Sequence, residues 1–390
     1  MPTSDSAADL LATALPQVHT WTGRPGADQL APLPNGPAVA LLISAGGAPV
    51  QLLTAQQLRR AALARLTSPP EPRRGRADLA EIVRGVRWRP ISCPFEARWW
   101  YYRLTRQLHP QDYRKLVSFG PAWFLHVDWA RAIPEIAVTE RIWCTPGEFL
   151  GPWPTHKPCQ EALAGLWDLF DLCRYPEQVQ KAPHGTRCAY ADMGRCDAPC
   201  DGAAPVPVYA ARCRDAWRFA GGATRDWIAA ATGRMTAAAA RQKYELAAQI
   251  KQQLEFARRW ASELAPRLHP IERVAWLLGL PVTRRQAWKL FFFHGGHLAE
   301  GPVAPHRRVD ADTAAWLAAA LACPAEKLTD TVRMEQTWLV CHLLLRTAPE
   351  SAIAVSWPEL TVPRDLARCV RAQADAARAR RGRGAREIAE

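Results

Sequence analysis

The chain has 390 residues, 48% of them hydrophobic, with 50 Lys and Arg against 37 Asp and Glu and a formal net charge of +13. That length holds two or three domains; no apolar run reaches the ~18 residues of a membrane span, the N-terminus lacks the basic-then-apolar pattern of an export signal, and the P-loop pattern GxxxxGK[ST] is missing, which argues against a membrane protein, a secreted protein and an ATPase. The basic balance points to an acidic partner, DNA or RNA first, and eleven cysteines without an export signal fit a reducing cytoplasm rather than a disulfide framework.

The expected fold class is α+β. Residues 1–35 mix Ser, Ala, Pro and Gly and read as a mobile tail. Residues 36–115 read as a compact unit with a three-stranded sheet. Ala38–Ser44 is an apolar β run, Gly46-Gly47 turns the chain, and Pro49–Leu53 returns as a hairpin partner. Gln56–Leu66 is expected to be helical with Arg59, Arg60 and Arg65 outside; PPEPRRGR (69–76) is a basic loop containing Arg73, Arg74 and Arg76. Glu81–Pro90 reads as the third strand and Pro94–Leu108 as a second helix. On that helix Phe95, Trp99, Tyr102 and Arg106 form one stripe facing the sheet, while Trp100 and Arg103 remain for stacking on unpaired bases and pairing with phosphates. Together Arg59, Arg60, Arg65, Arg73, Arg74, Arg76, Trp100 and Arg103 form the expected DNA-binding set.

Residues 116–159 read as a β-rich linker, with AWFLHVDW and EIAVTERIW as its β runs. Residues 160–222 are a four-cysteine segment, entered by the amphipathic helix Gln160–Leu172. Its thiols, Cys173, Cys188, Cys196 and Cys200, are separated by gaps of 14, 7 and 3 residues. Thiolates are soft ligands, and four close together suit zinc or an iron–sulfur cluster; the plainer reading is four unrelated buried thiols. Gly194, Pro199 and Gly202 break helix and set the last two cysteines on a tight loop. Residues 223–264 are expected to fold as an antiparallel helical hairpin, Thr224–Ala240 with Lys243–Leu264, whose seam Met235, Tyr244 and Ile250 fill. Residues 265–365 read as a small α+β region with a β-hairpin over Gln286–Glu300 and helices over Ala311–Ala322 and Asp330–Arg346. Residues 366–390, with ARARRGRGAR, form a basic tail.

Three stretches resemble one family. RCAYADMGRCDAPCDG (187–202) is similar to the segment of the UvrC excinuclease family that reads roughly RPCLxYxIGRCxAPCxG. GEFLGPWPT (147–155) resembles the family's GxYFGPYPS, and MTAAAARQKYELAAQIKQQL (235–254) its UVR motif. The matches occur in the family's order. The resemblance implies a nucleotide-excision-repair protein with a [4Fe–4S] cluster on Cys173, Cys188, Cys196 and Cys200, zinc being the alternative. The first gap is longer here than in the family, which makes Cys173 the loosest ligand. It also implies that the hairpin docks on a UvrB-like subunit through Met235, Tyr244, Glu245, Ala247, Ala248 and Ile250, although Lys251 and Gln252 replace the family's Arg-Asp.

The order hairpin, helix, strand, helix over residues 36–115 resembles the GIY-YIG nuclease domain, and here the chemistry departs. Such a nuclease needs a hairpin tyrosine at the attacking water, an arginine on the scissile phosphate and a glutamate on one divalent metal, because metal and cation neutralise charge built up in the transition state. The GIY position is Val39-Ala40-Leu41 and the YIG position Gln51-Leu52-Leu53. The arginine position is Ala61, the glutamate position Tyr101 and the asparagine position Tyr113. No catalytic residue is therefore expected. Arg65 is the one cation placed to stand in for Ala61, and Glu96, five residues before Tyr101, points elsewhere. Three functions follow for comparison: a cytoplasmic DNA-binding excision-repair protein with a lost nuclease, an active single-strand endonuclease with displaced catalytic residues, and a four-cysteine zinc scaffold that does not bind DNA.

Overall fold

The computed structural model describes residues 10–67, 78–271, 275–282, 287–305, 311–322, 328–347 and 353–356. Arg73, Arg74, Arg76 and the basic tail lie outside the described residues. Among the described residues the fold is α+β, with three four-stranded sheets. The chain divides into two compact units: residues 1–119 with 279–290 and 302–310, and residues 120–278 with 291–301 and 311–390.

The first unit is built on a sheet of order β1-β4-β2-β3: β1 (Gln17–Thr20), β2 (Ala38–Ser44), β3 (Pro49–Ala55) and β4 (Val83–Pro90). Strand β2 is apolar because it is central. It pairs antiparallel with β3 on one side, Leu42 opposite Gln51, and with β4 on the other, Leu42 opposite Val86. Helix α1 (Leu58–Leu66) lays Leu58, Ala62 and Leu66, one helical stripe, onto this core. Helix α2 (Pro94–Leu108) starts with proline in its first turn, where the missing N–H costs nothing, and buries Phe95, Trp99 and Tyr102.

Three expectations are corrected. The sheet has four strands rather than three, because Gln17–Thr20 pairs with β4, Gln17 opposite Trp88. Residues 17–33 therefore do not belong to a loose tail: Trp21, Leu30 and Leu33 are in the core. The region 265–365 is also not a separate domain, since residues 279–290 and 302–310 belong to the first unit.

The second unit holds a sheet of order β6-β5-β7-β8, with β5 (Trp123–Val127), β6 (Ile136–Thr139), β7 (Glu148–Trp153) and the short β8 (His269–Pro270). The expected linker thus supplies three strands, β5, β6 and β7, to this sheet, and from residue 120 on it belongs to the second unit. Helix α3 (His156–Phe170) shares a core with that sheet and with α4 (Val206–Ala220). Helices α5 (Arg225–Ala240) and α6 (Tyr244–Arg259) are joined by a short turn with Gln242 at φ 55°, and α6 runs on into a π-helical turn at Trp260–Leu264. Trp260 is fully buried, and its indole N–H donates to Ala220 O at 3.2 Å. The third sheet, β9 (Ala275–Pro281), β10 (Ala287–His294), β11 (His297–Pro305) and β12 (Ile353–Ser356), has order β11-β10-β9-β12. Its β10–β11 turn is the expected Gly295-Gly296, both glycines at positive φ. No helix of the described residues is long and apolar enough to cross a membrane.

Candidate functional site

The cysteine segment begins where α3 stops. Asp171 takes a left-handed conformation (φ 51°), which ends the helix and turns Leu172 and Cys173 into the core. Cys188 caps the helical turn Ala189–Asp192, and Cys200 sits in the turn Pro199–Asp201, which left-handed Ala198 and Gly202 bracket. Arg187 ties these turns together, donating from Nε to Asp192 Oδ1 at 3.0 Å and from Nη1 to Asp201 Oδ2 at 3.1 Å. Gly185 closes the loop: its N–H donates to Cys200 O at 2.7 Å, and a Cβ there would lie 2.8 Å from Gln178 O.

These turns bring the four sulfurs into one electrostatic neighbourhood. Cys173 and Cys196 hydrogen-bond to each other through sulfur, and Cys200 interacts with Cys173, Cys196 and Cys188. Cys173, Cys196 and Cys200 are buried and Cys188 half-buried. The hydrogen bond from Cys173 pulls the Cys196 thiol down to about 7, helped by the Ala198 N–H and opposed by burial. The same bond, with burial, pushes the Cys173 thiol up; burial raises Cys200. The donor chemistry fits a soft metal or an iron–sulfur cluster, which takes sulfur as thiolate. As placed, no three His, Cys, Asp or Glu side chains among the described residues stand together as a finished ligand set.

The helical hairpin is seated on this segment. Phe256 of α6 packs where Gly165 of α3 leaves room: a Cβ at Gly165 would lie 2.0 Å from the Phe256 ring. Gln253 Nε2 adds a hydrogen bond to Asp168 O at 3.0 Å. Gly165→Ala is expected to destabilise the chain by about 1–3 kcal/mol, since forcing the ring aside outweighs the ~0.5–1 kcal/mol of helix propensity gained. Thermal unfolding of the variant checks this; unchanged stability would mean the ring moves freely.

Ile250 lies in the hairpin seam with Ala231 and Leu254, and Met235 packs against them. Tyr244 does not: it is 67% exposed at the first turn of α6, beside exposed Leu246. Glu245 and Ala248 are exposed and Ala247 half-buried. Tyr244, Glu245, Leu246 and Ala248 are thus the exposed residues of the set, with Ile250 and Met235 holding the hairpin together. Leu246 and Ile250 also line a groove of about 1000 Å³ that holds Arg195, Arg234, Arg241 and Lys243 together with Asp168 and Asp171.

The first unit carries its own cleft. A cavity of about 550 Å³ opens between edge strand β3, Arg65 of α1, the N-terminal half of α2 and the loop 116–119. Gln51, Arg65 and Tyr101, singled out from three separate stretches of sequence, all line it. So does Arg98, which opens the run RWWYYR (98–103) of interleaved aromatics and cations in the sequence. No carboxylate is among the described residues that line it. Glu96 is engaged elsewhere. It is buried, pairs with Lys289 at 3.3 Å, and accepts the Ser92 N–H at 2.5 Å. Ala61 and Tyr113 do not line the cleft, and Tyr113 is buried beside Tyr102.

Of the remaining expected DNA contacts, Arg60 and Arg103 are exposed, while Arg59 is half-buried and donates to Leu33 O at 2.8 Å. Trp100 is corrected: it is 8% exposed, with the guanidinium groups of Arg89 and Arg103 4.1 and 4.7 Å from its ring centre, and so cannot offer a face to a base.

The comparisons with known proteins converge on the cysteine-bearing unit. Residues 122–219 match the family described as UvrC/Cho excinuclease, middle domain. These residues run from β5 to the end of α4 and include all four cysteines. The chain is UvrC-like. Relatives named UvrABC system protein C share 23% identity over 224 residues in Geotalea daltonii, 25% over 219 in Geobacter metallireducens and 25% over 227 in Moorella thermoacetica. These alignments cover 56–58% of this UvrC-like chain and 36% of each relative, so the chain spans about a third of their length. No solved structure matches significantly.

Proposed function

We propose that this UvrC-like chain is a cytoplasmic DNA-binding protein of nucleotide excision repair whose nuclease-like cleft no longer cuts. The supporting observation is the cleft itself. Gln51, Tyr101 and Arg65 line one cavity, as a GIY-YIG-like arrangement of residues 36–115 requires, yet that cavity lacks a carboxylate among its described residues. A hard divalent ion needs oxygen ligands of that kind, and a tyrosine side chain such as Tyr101 is a poor replacement for a carboxylate. Glu96, the nearest carboxylate along α2, is held by Lys289 and Ser92, which counts against the displaced-site alternative.

Cys173, Cys188, Cys196 and Cys200 would hold a [4Fe–4S] cluster, or zinc. When bound, it would cross-link four loop positions and, if iron–sulfur, supply a one-electron couple. The chain's own contribution is to bury three of the thiols and tie their turns through Arg187. The hairpin α5–α6 would dock on a UvrB-like subunit through Tyr244, Glu245, Leu246 and Ala248. DNA would be held by Arg60, Arg65 and Arg103, together with Arg73, Arg74, Arg76 and the basic tail.

The expected result is that purified chain, with or without excision-repair partners, gives no magnesium- or manganese-dependent nicking of damaged duplex above background. Losing one transition-state electrostatic group costs about 10²–10³ in rate, and here the metal ligand is also gone. Robust incision that disappears in Arg65→Ala would overturn the reading.

A further inference from the structure

We infer that the groove lined by the helical hairpin and the cysteine segment binds an acidic, amphipathic α-helix of a protein partner. The site is separate from the α6 residues proposed above to dock a subunit, sharing Leu246 alone, and its occupancy does not depend on that docking.

Apolar surface points to a protein first. Met193, from the cysteine segment, is 65% exposed, and Leu246, from α6, is 45% exposed; both line the groove together with buried Leu169 and Ile250. Large apolar side chains left in water on two separate elements and lining one groove mark an interaction surface. Methionine suits such a surface because its unbranched chain adapts to what it meets.

Charge sets the sign of the partner. Arg195 and Arg234 are matched within the groove: Arg195 stands 3.7 Å from Asp168, and Arg234 acts on Asp171. Arg241 and Lys243 are different. They flank Gln242 at the turn of the hairpin, are exposed, and enter no ion pair among the described residues. Arg241 complements the C-terminus of α5, but Lys243 immediately precedes the first turn of α6, where a cation opposes the helix dipole. A carboxylate brought by a partner offsets that position. Gln249 and Gln252, both exposed, add neutral donors and acceptors.

The form of the partner follows from what the lining lacks. None of its described residues lies on a strand, so the groove offers no sheet edge for an extended peptide. Phe256 is the one aromatic among them, and its ring is engaged over Gly165 and lies 5.7 Å from the Trp260 ring centre. Proline-rich segments and single nucleic-acid strands both need aromatic faces, which disfavours them. A helix with apolar anchors on one face and carboxylates on the other uses all that is present: apolar wall, glutamine amides and two cations at the hairpin turn.

The test measures binding of a fluorescent peptide to the full chain by anisotropy. The peptide has about five helical turns, with leucines along one face and glutamates on the other. Saturable 1:1 binding is expected. A scrambled peptide of the same composition, which removes the apolar face but keeps the charge, should bind at least about tenfold more weakly. Equal binding of the two would assign the attraction to the chain's net charge of +13 and overturn the inference. Arg241→Glu with Lys243→Glu, at exposed positions, should weaken the ordered peptide by about tenfold or more. Met193→Asp should do the same and Met193→Leu should not, with thermal unfolding reporting that each variant is folded. Binding untouched by the hairpin charge reversal places the peptide elsewhere and overturns the inference. So does displacement of the peptide by an equal concentration of single-stranded oligonucleotide that the same charge reversal abolishes, which would make the groove a nucleic-acid site. The no-cutting reading is decided separately, by incision alone.

Discussion

Replacing Lys289 with methionine is expected to destabilise the first unit by about 3–5 kcal/mol, the usual cost of breaking a buried pair by removing one partner. The Lys289 and Glu96 side chains are 9% and 5% exposed and stand 3.3 Å apart. Methionine fills a similar volume, so the loss comes from electrostatics: the Glu96 carboxylate stays out of water, with the Ser92 N–H still on it but without the Lys289 ammonium. Glu96→Leu combined with Lys289→Met should recover most of the loss, because an apolar pair of similar volume needs no compensation. Denaturant unfolding followed by tryptophan fluorescence measures both. A loss below ~1 kcal/mol, the range of exposed pairs, would mean that water reaches the carboxylate.

Cys196→Ala is expected to remove the proposed metal centre. Cys196 is buried, is hydrogen-bonded to Cys173, and interacts with Cys200, so it has the most contacts with the other thiols of the proposed set. Anaerobically purified chain should be brown, with iron and sulfide in cluster stoichiometry; the variant should be colourless with neither. Cys188→Ala, at the half-buried position, should lose metal more gradually on exposure to a chelator. Colourless chain with one zinc would replace the iron assignment by zinc. Metal content unchanged in Cys196→Ala would overturn the ligand set.

Local chemistry was readable from the sequence where it acts over a few residues. Ala38–Ser44 announces itself as a strand because a central strand is apolar along its length and a Gly-Gly turn follows it. Pro94–Leu108 is legible from proline at the helix start and a three-four apolar spacing. The cysteine turns are legible because Pro199, Gly194 and Gly202 break helix at the thiols. Other features depend on partners far along the chain. Gln17–Thr20 is polar and short, and it becomes a strand only because β4 offers it an edge. Trp100 looks like a stacking residue until Arg89, from β4, covers its face. Tyr244 matches a docking motif, and the motif does not say on which side of the first turn its ring emerges. Gly165 gives no sign by itself of the ring from α6 that it accommodates. Within the cleft, Gln51, Arg65 and Tyr101 could each be aligned, but the absence of a carboxylate was secured only when Glu96 was seen with Lys289.

That ion pair also sets a timetable. Lys289 leaves the ribosome about 190 residues after Glu96, and at 5–20 residues per second this is a wait of roughly 10–40 s. During that interval residues 1–119 are already synthesised, but Glu96 still lacks its ion pair with Lys289. Segments 279–290 and 302–310 complete the first unit from the far side of the cysteine-bearing stretch. A nascent chain halted before residue 279 would therefore carry all four cysteines while its first unit was still unfinished.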